Sequence, residues 1–137
     1  ASVQGEVGQE APGQLITHYA PDVPAFVVRR GEHGQAPSPE LVASVRGSIV
    51  LDFGGYLREL ADVDGGQCAA YRDLSPSGDT QEAARNLFAA LRWTETVEGA
   101  ERVLMADLVA ATPETDEHAA SVADRVFRAA SGRVVAW

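Results

Sequence analysis

Five short runs of β-branched and apolar residues, separated by segments with helical signals, constrain this chain more than any other feature. The runs are residues 25–28 (Ala-Phe-Val-Val), 48–53 (Ser-Ile-Val-Leu-Asp-Phe), 68–74, 102–108 and 133–137. Between the first two, Ser38-Pro39-Glu40-Leu41 reads as a helix start. Ser38 is the N-cap, and Pro39 takes the first helical position, where its missing N–H costs nothing. Leu41, Val42 and Val45 would face inward, and Gly47 would end the helix. Residues 56–60 predict one or two helical turns before an Asp64-Gly65-Gly66 turn.

The strongest helix is predicted over residues 80–92, where Ala84, Leu87, Phe88 and Leu91 recur at i, i+3, i+4 and i+7. Asp79 is its expected N-cap, and Glu82 completes an Asp-x-x-Glu capping box. A second helix over 116–130 carries the stripe Ala119, Val122, Ala123, Val126, Phe127 and Ala130, with Gly132 as terminator. Strands alternating with helices predict a parallel sheet joined by right-handed crossovers. The expected fold is therefore α/β: a small Rossmann-like, doubly wound, mostly parallel five-stranded sheet with helices on both faces. Residues 24–137 would form this domain, and residues 1–23, with three glycines, two prolines and few large apolar side chains, an interdomain linker.

Composition removes several functions. With 45% hydrophobic residues the 137-residue chain can build a core, yet no apolar run approaches the roughly twenty residues of a membrane span. No charged-then-apolar leader opens it, and the expected compartment is the cytoplasm. A chain opening on Ala1 is expected to be either processed or a fragment of something longer. The net charge of −9 opposes direct nucleic-acid binding, since the field of the domain repels a polyanion. All eleven basic residues are arginine, so neither a Schiff-base lysine nor a P-loop lysine exists. Cys68 is the only cysteine, and His18, His33 and His118 lack the i, i+4 spacing of a helical metal site, so no metal site is expected. Trp93 and Trp137 read as packing groups.

Ligands of such folds sit at the carboxyl ends of the strands. The crevice candidates are Asp52 with Gly54 and Gly55, and the turn holding Ser75, Ser77 and Asp79; Asp73 and Asp107 lie at the same end. Two glycines after a strand admit a ligand close to the backbone, and helical N–H groups near Thr80 receive anions. The structural reading outweighs this one, because Gly-Gly after a strand is more often a turn and Asp79 already supplies a negative cap. Neither G-x-G-x-x-G nor G-x-S-x-G occurs. The linker differs: Pro12-Gly13 makes a bend, and His18-Tyr19-Ala20-Pro21 sets an aromatic pair between prolines. Such a strap is either pre-shaped to lie across another surface or a plain spacer.

This strap resembles the linker of the two-domain L-threonylcarbamoyladenylate synthases, in which Pro-Gly precedes His-Tyr-Ala-Pro at the same spacing. Gln14 stands where that family usually has methionine. Tyr71-Arg72-Asp73-Leu74-Ser75-Pro76-Ser77-Gly78-Asp79, the helix from Glu82 to Arg92 with Asn86-Leu87-Phe88, and residues 124–132 are similar to the C-terminal domain of the same family. The resemblance covers nearly all of residues 11–137. It implies an accessory domain whose partner is an N-terminal catalytic domain of the same protein, where ATP and Mg would bind. No cofactor is expected in this chain. Pro12, Gly13, His18, Tyr19, Ala20 and Pro21 would form part of a lid over nucleotide and threonine, in a pathway that threonylcarbamoylates an adenosine of tRNA. The isolated chain is expected to be inactive, with no catalytic residue of its own. Two other readings stand beside this one: a self-sufficient nucleotide-binding module using the crevice, and a structural domain that homodimerises or binds other proteins.

Overall fold

The computed structural model describes residues 23–31, 34–112 and 116–137. Each predicted apolar run forms a strand: β1 (Ala25–Arg29), β2 (Ser48–Asp52), β3 (Ala70–Asp73), β4 (Arg102–Ala106) and β5 (Val134–Ala136). The helices are α1 (Pro39–Val45), α2 (Arg58–Asp62), α3 (Thr80–Thr94), α4 (Leu108–Ala111) and α5 (Ala119–Ala129), with a 3-10 turn at Val63–Gly65 after α2. The strands make one all-parallel sheet in the order β3-β2-β4-β1-β5.

Composition explains which strands are central and which lie at the edges. Ile49, Val50 and Leu51 of β2, and Val103, Leu104 and Met105 of β4, are buried whichever way they point, as strands covered on both faces require. The alanine-bearing β3 and the short β5, with Val134 exposed, lack such residues and form the edges. The crossovers after β1 and β2 run toward the β3 edge, and those after β3 and β4 run toward the β5 edge. Right-handed connections therefore place α1 and α2 on one face and α3 to α5 on the other. The packing agrees: α1 touches α2, while α3 and α4 touch α5.

Several local expectations change. Helix α2 begins at Arg58, not Tyr56, because residues 53–57 turn first, with the Tyr56 N–H donating to Phe53 O (3.1 Å). The predicted stripe of α3 is rotated: Ala83, Leu87, Ala90 and Leu91 are buried, whereas Phe88 is 44% exposed. Alanines let the helix lie close on the sheet, and the larger ring is displaced outward. Phe127 of α5 is likewise 46% exposed. A groove of about 430 Å³ runs between the two helices, lined by Leu87, Phe88, Leu91, Asp124 and Arg128. Strand β4 stops at Ala106, since Asp107 caps α4 by accepting from the Val109 (3.1 Å) and Ala110 (3.3 Å) N–H groups. Helix α5 starts three residues late because Asp116 caps it, accepting from the His118 and Ala119 N–H groups (3.0 and 3.2 Å).

Candidate functional site

The carboxyl ends of β2 and β3 bring together the six crevice residues named from sequence. Gly54 and Gly55 both have positive φ, +59° and +80°. A Cβ on Gly54 would lie 3.4 Å from Gly78 Cα, so the turn after β2 packs backbone to backbone on the turn after β3. Glycine is required there for conformation and contact together. Asp73 ties the two turns: Oδ1 accepts from the Gly54 (3.0 Å) and Ser75 (2.9 Å) N–H groups, and Oδ2 from the Gly55 N–H (3.0 Å). The cradle of N–H groups that would suit a ligand's anion thus already holds a carboxylate of the chain.

Ser75 is buried and central. Its Oγ accepts from the Asp79 N–H (2.8 Å), donates to Glu82 Oε1 (2.6 Å) and lies 3.3 Å from Ser77 Oγ. Asp79 caps α3 as expected, accepting from the Gln81 N–H (2.9 Å). The second half of the expected capping box is replaced, since Glu82 bonds Ser75 and the Asp79 N–H goes to the same hydroxyl. Asn86 of α3 donates to Leu74 O (2.8 Å), fixing the helix to the end of β3. Thr80 Oγ1 donates to Asp116 (3.1 Å), which joins the starts of α3 and α5.

Asp52 lies beneath this surface and is fully buried. Its Oδ1 accepts from the Phe53 and Leu57 N–H groups (2.7 Å each), and its Oδ2 from the Tyr71 hydroxyl. Burial pushes the carboxyl above its ordinary range, against the pull of those donors. Burial and the nearby Asp52 carboxylate push the Tyr71 phenol upward, and Arg58 stacks 4.4 Å above its ring. A phenol in that setting keeps its proton and donates. The pair is a structural lock, a role that strand-end position alone does not reveal.

The shift of Asp52 sets a pH dependence. A carboxyl whose pKa is higher in the folded chain stabilises it fully below its ordinary value near 3.8, and that contribution fades as pH rises through the raised value. As pH rises from about 4, urea midpoints should therefore move against the wild-type chain relative to Asp52→Asn, which carries no such proton. A gap between the two proteins that stays constant with pH would contradict this.

At the neighbouring strand ends, Arg29 Nε donates to Asp107 Oδ2 at 2.6 Å, and this partner pushes the guanidinium further upward. The Arg30 N–H donates to the Tyr56 hydroxyl (2.8 Å), and the Arg30 guanidinium stacks 4.3 Å from Trp137. Sequence reading placed Asp107 at this end and missed its cationic partner Arg29 and the nearby Arg30. The signal for Arg29 was its position at the end of β1, directly after the apolar run. Cys68 is half-buried with its thiol pushed up by burial. Among the described residues no group of three or more His, Cys, Asp or Glu side chains is placed to hold a metal ion. His118 lies 3.1 Å from Gln81 through their Nε2 atoms, while His18 and His33 fall outside the described residues. The strap residues Pro12, Gly13, His18, Tyr19, Ala20 and Pro21 also fall outside them. Among the described residues no helix is long and apolar enough to cross a membrane.

One protein family has a model that matches residues 2–131, and its description is threonylcarbamoyl-AMP synthase, C-terminal domain. No significant match was found to a curated protein or to a solved structure.

Proposed function

We propose a positioning role for this chain, which belongs to the family of threonylcarbamoyl-AMP synthase C-terminal domains. In this reading it is the non-catalytic part of a cytoplasmic enzyme that makes threonylcarbamoyl-AMP from threonine, bicarbonate and ATP for tRNA modification. Catalysis, ATP and Mg belong to an N-terminal domain of the same protein. The folded sheet anchors the strap, and Pro12, Gly13 and residues 18–21 close over the neighbouring pocket, excluding water from a labile product.

The observation that carries this reading is the family match across both strap and domain, residues 2–131. The chemistry of the strand ends supports it: Asp52, Asp73 and Asp107 each hold N–H groups of their own chain. A nucleotide module at the β2–β3 crevice would have to displace Asp73 from three N–H groups and bring phosphates beside buried carboxylates.

The test compares three proteins. The chain alone should release no threonine-dependent pyrophosphate. In the two-domain enzyme, replacing residues 12–21 with a Gly-Ser segment should lower kcat/KM on the order of 100-fold, the scale of lost positioning. The unfolding midpoint of the domain should not change. Pyrophosphate release by the chain alone, or full activity without the strap, defeats the proposal.

A further inference from the structure

A cleft of about 420 Å³ opens at the carboxyl ends of β1 and β4, walled by Val27, Val109, Ala120, Ala123 and Phe127, with Arg29 at its mouth. We propose that it binds a small organic carboxylate with an apolar body, the carboxylate seated on the Arg29 guanidinium and the body between α4 and α5.

Topology puts a cleft here. The chain leaves β1 for α1 on one face and leaves β4 for α4 on the other, so adjacent strands part company at their carboxyl ends. The volume lies within the range of small-ligand sites, roughly 300–1,000 Å³. The walls are apolar, and Val109 among them is 57% exposed.

Arg29 supplies the polar end. Its side chain is 59% exposed, yet its Nε is fastened to the Asp107 carboxylate, only 7% exposed. Asp107 is itself held by the Val109 and Ala110 N–H groups, so the planar fork is aimed before any ligand arrives. Among the described residues the terminal nitrogens of Arg29 have no hydrogen-bond partner. At the other strand ends, by contrast, the carboxylates are surrounded by the chain's own donors.

Charge selects the ligand class. Asp107 balances Arg29, and Asp124 at the cleft is paired with Arg128 (2.9 Å). A phosphate dianion would meet the Asp107 charge with only one cation to offset it, in a protein of net charge −9. A monoanion meets a neutral surround, and its apolar part gains by covering the exposed faces of Val109 and Phe127.

The test is a titration of the 137-residue chain with 3-phenylpropionate and, separately, its amide, read by amide-group NMR shifts. Saturable shifts are expected at residues 106–110 and 120–127, with the acid binding about tenfold tighter than the amide. Arg29→Gln, which keeps a donor for Asp107, should erase that preference. Ala123→Leu, which fills the cleft and leaves Arg29 in place, should abolish both. Equal affinity for acid and amide, shifts centred on the groove at Leu87 and Phe88, or no saturation by about 10 mM would overturn the proposal.

Discussion

Asp52→Ala is expected to destabilise the domain by about 3–5 kcal/mol, through three donors left without an acceptor. The Phe53 and Leu57 N–H groups and the Tyr71 hydroxyl all bond this one carboxylate. Leu57 is fully buried and Phe53 nearly so, so water cannot reach their amides without opening the turn. Each buried donor without a partner costs about 1–3 kcal/mol. Tyr71 is only half-buried and can turn its hydroxyl outward, which keeps the total below the simple sum. Domains of this size have about 5–15 kcal/mol in all, so the loss should be plain in urea unfolding, as a lowered midpoint with an unchanged slope. Asp52→Asn keeps an acceptor oxygen for both amides and should cost about 1 kcal/mol. If alanine and asparagine behave alike, water has replaced the carboxylate and the lock is not one.

The same residue marks how far the sequence could be read. Alternation of apolar runs with helical segments was enough for a mostly parallel sheet, because four of the five runs have β-branched residues, the alanine-dominated run at 68–74 being the exception, and each gap has a cap or a breaker. The order β3-β2-β4-β1-β5 was not readable, since skipping a strand depends on which surfaces meet at long range. Asp52 could be placed at a strand end, but its partner could not. Register pairs Val50 with Tyr71 and Asp52 with Asp73, so Tyr71 falls on the same sheet face as Asp52, two residues earlier. That neighbourhood exists only once the register is known.

Helix faces failed for a different reason. In α3 the alanines at 83, 84, 89 and 90 weigh nearly alike in a periodicity argument, so a stripe through Phe88 looked as good as one through Ala83. Close packing on the sheet decided for the smaller side chains. Asp107 misled in a third way: the Asp-Leu-Val-Ala-Ala sequence continues a strand pattern and also starts a helix. Two cap bonds to its carboxylate settled the matter, and a strand pattern has no term for them.

Trp137→Ala carries the other large effect, about 3–5 kcal/mol, and it should spread to the crevice. The indole is 4% exposed, and its N–H donates to Gln35 O at 2.6 Å. The Trp137 backbone N–H donates to Arg29 O (2.8 Å), and its carbonyl accepts from the Ser38 N–H (2.6 Å), so one residue ties β1 to the start of α1. Those backbone bonds survive the substitution, whereas the ring does not. Without it the Arg30 guanidinium loses the indole face it stacks on, and that guanidinium in turn donates to the Tyr56 carbonyl (3.2 Å), while the Arg30 backbone N–H donates to the Tyr56 hydroxyl (2.8 Å). Tyr56 belongs to the turn that carries Gly54, Gly55 and Leu57 across Asp52. Hydrogen exchange should therefore quicken at the Leu57 amide beyond the global loss, while amides of β2 follow global stability alone. Trp137→Phe separates the two contributions: it keeps a ring beneath Arg30, leaves Gln35 O without its indole donor, and should cost about 1–2 kcal/mol with Leu57 protected as before. Faster exchange at Leu57 in the phenylalanine variant as well would mean that the indole N–H, not the stacked ring, steadies the turn.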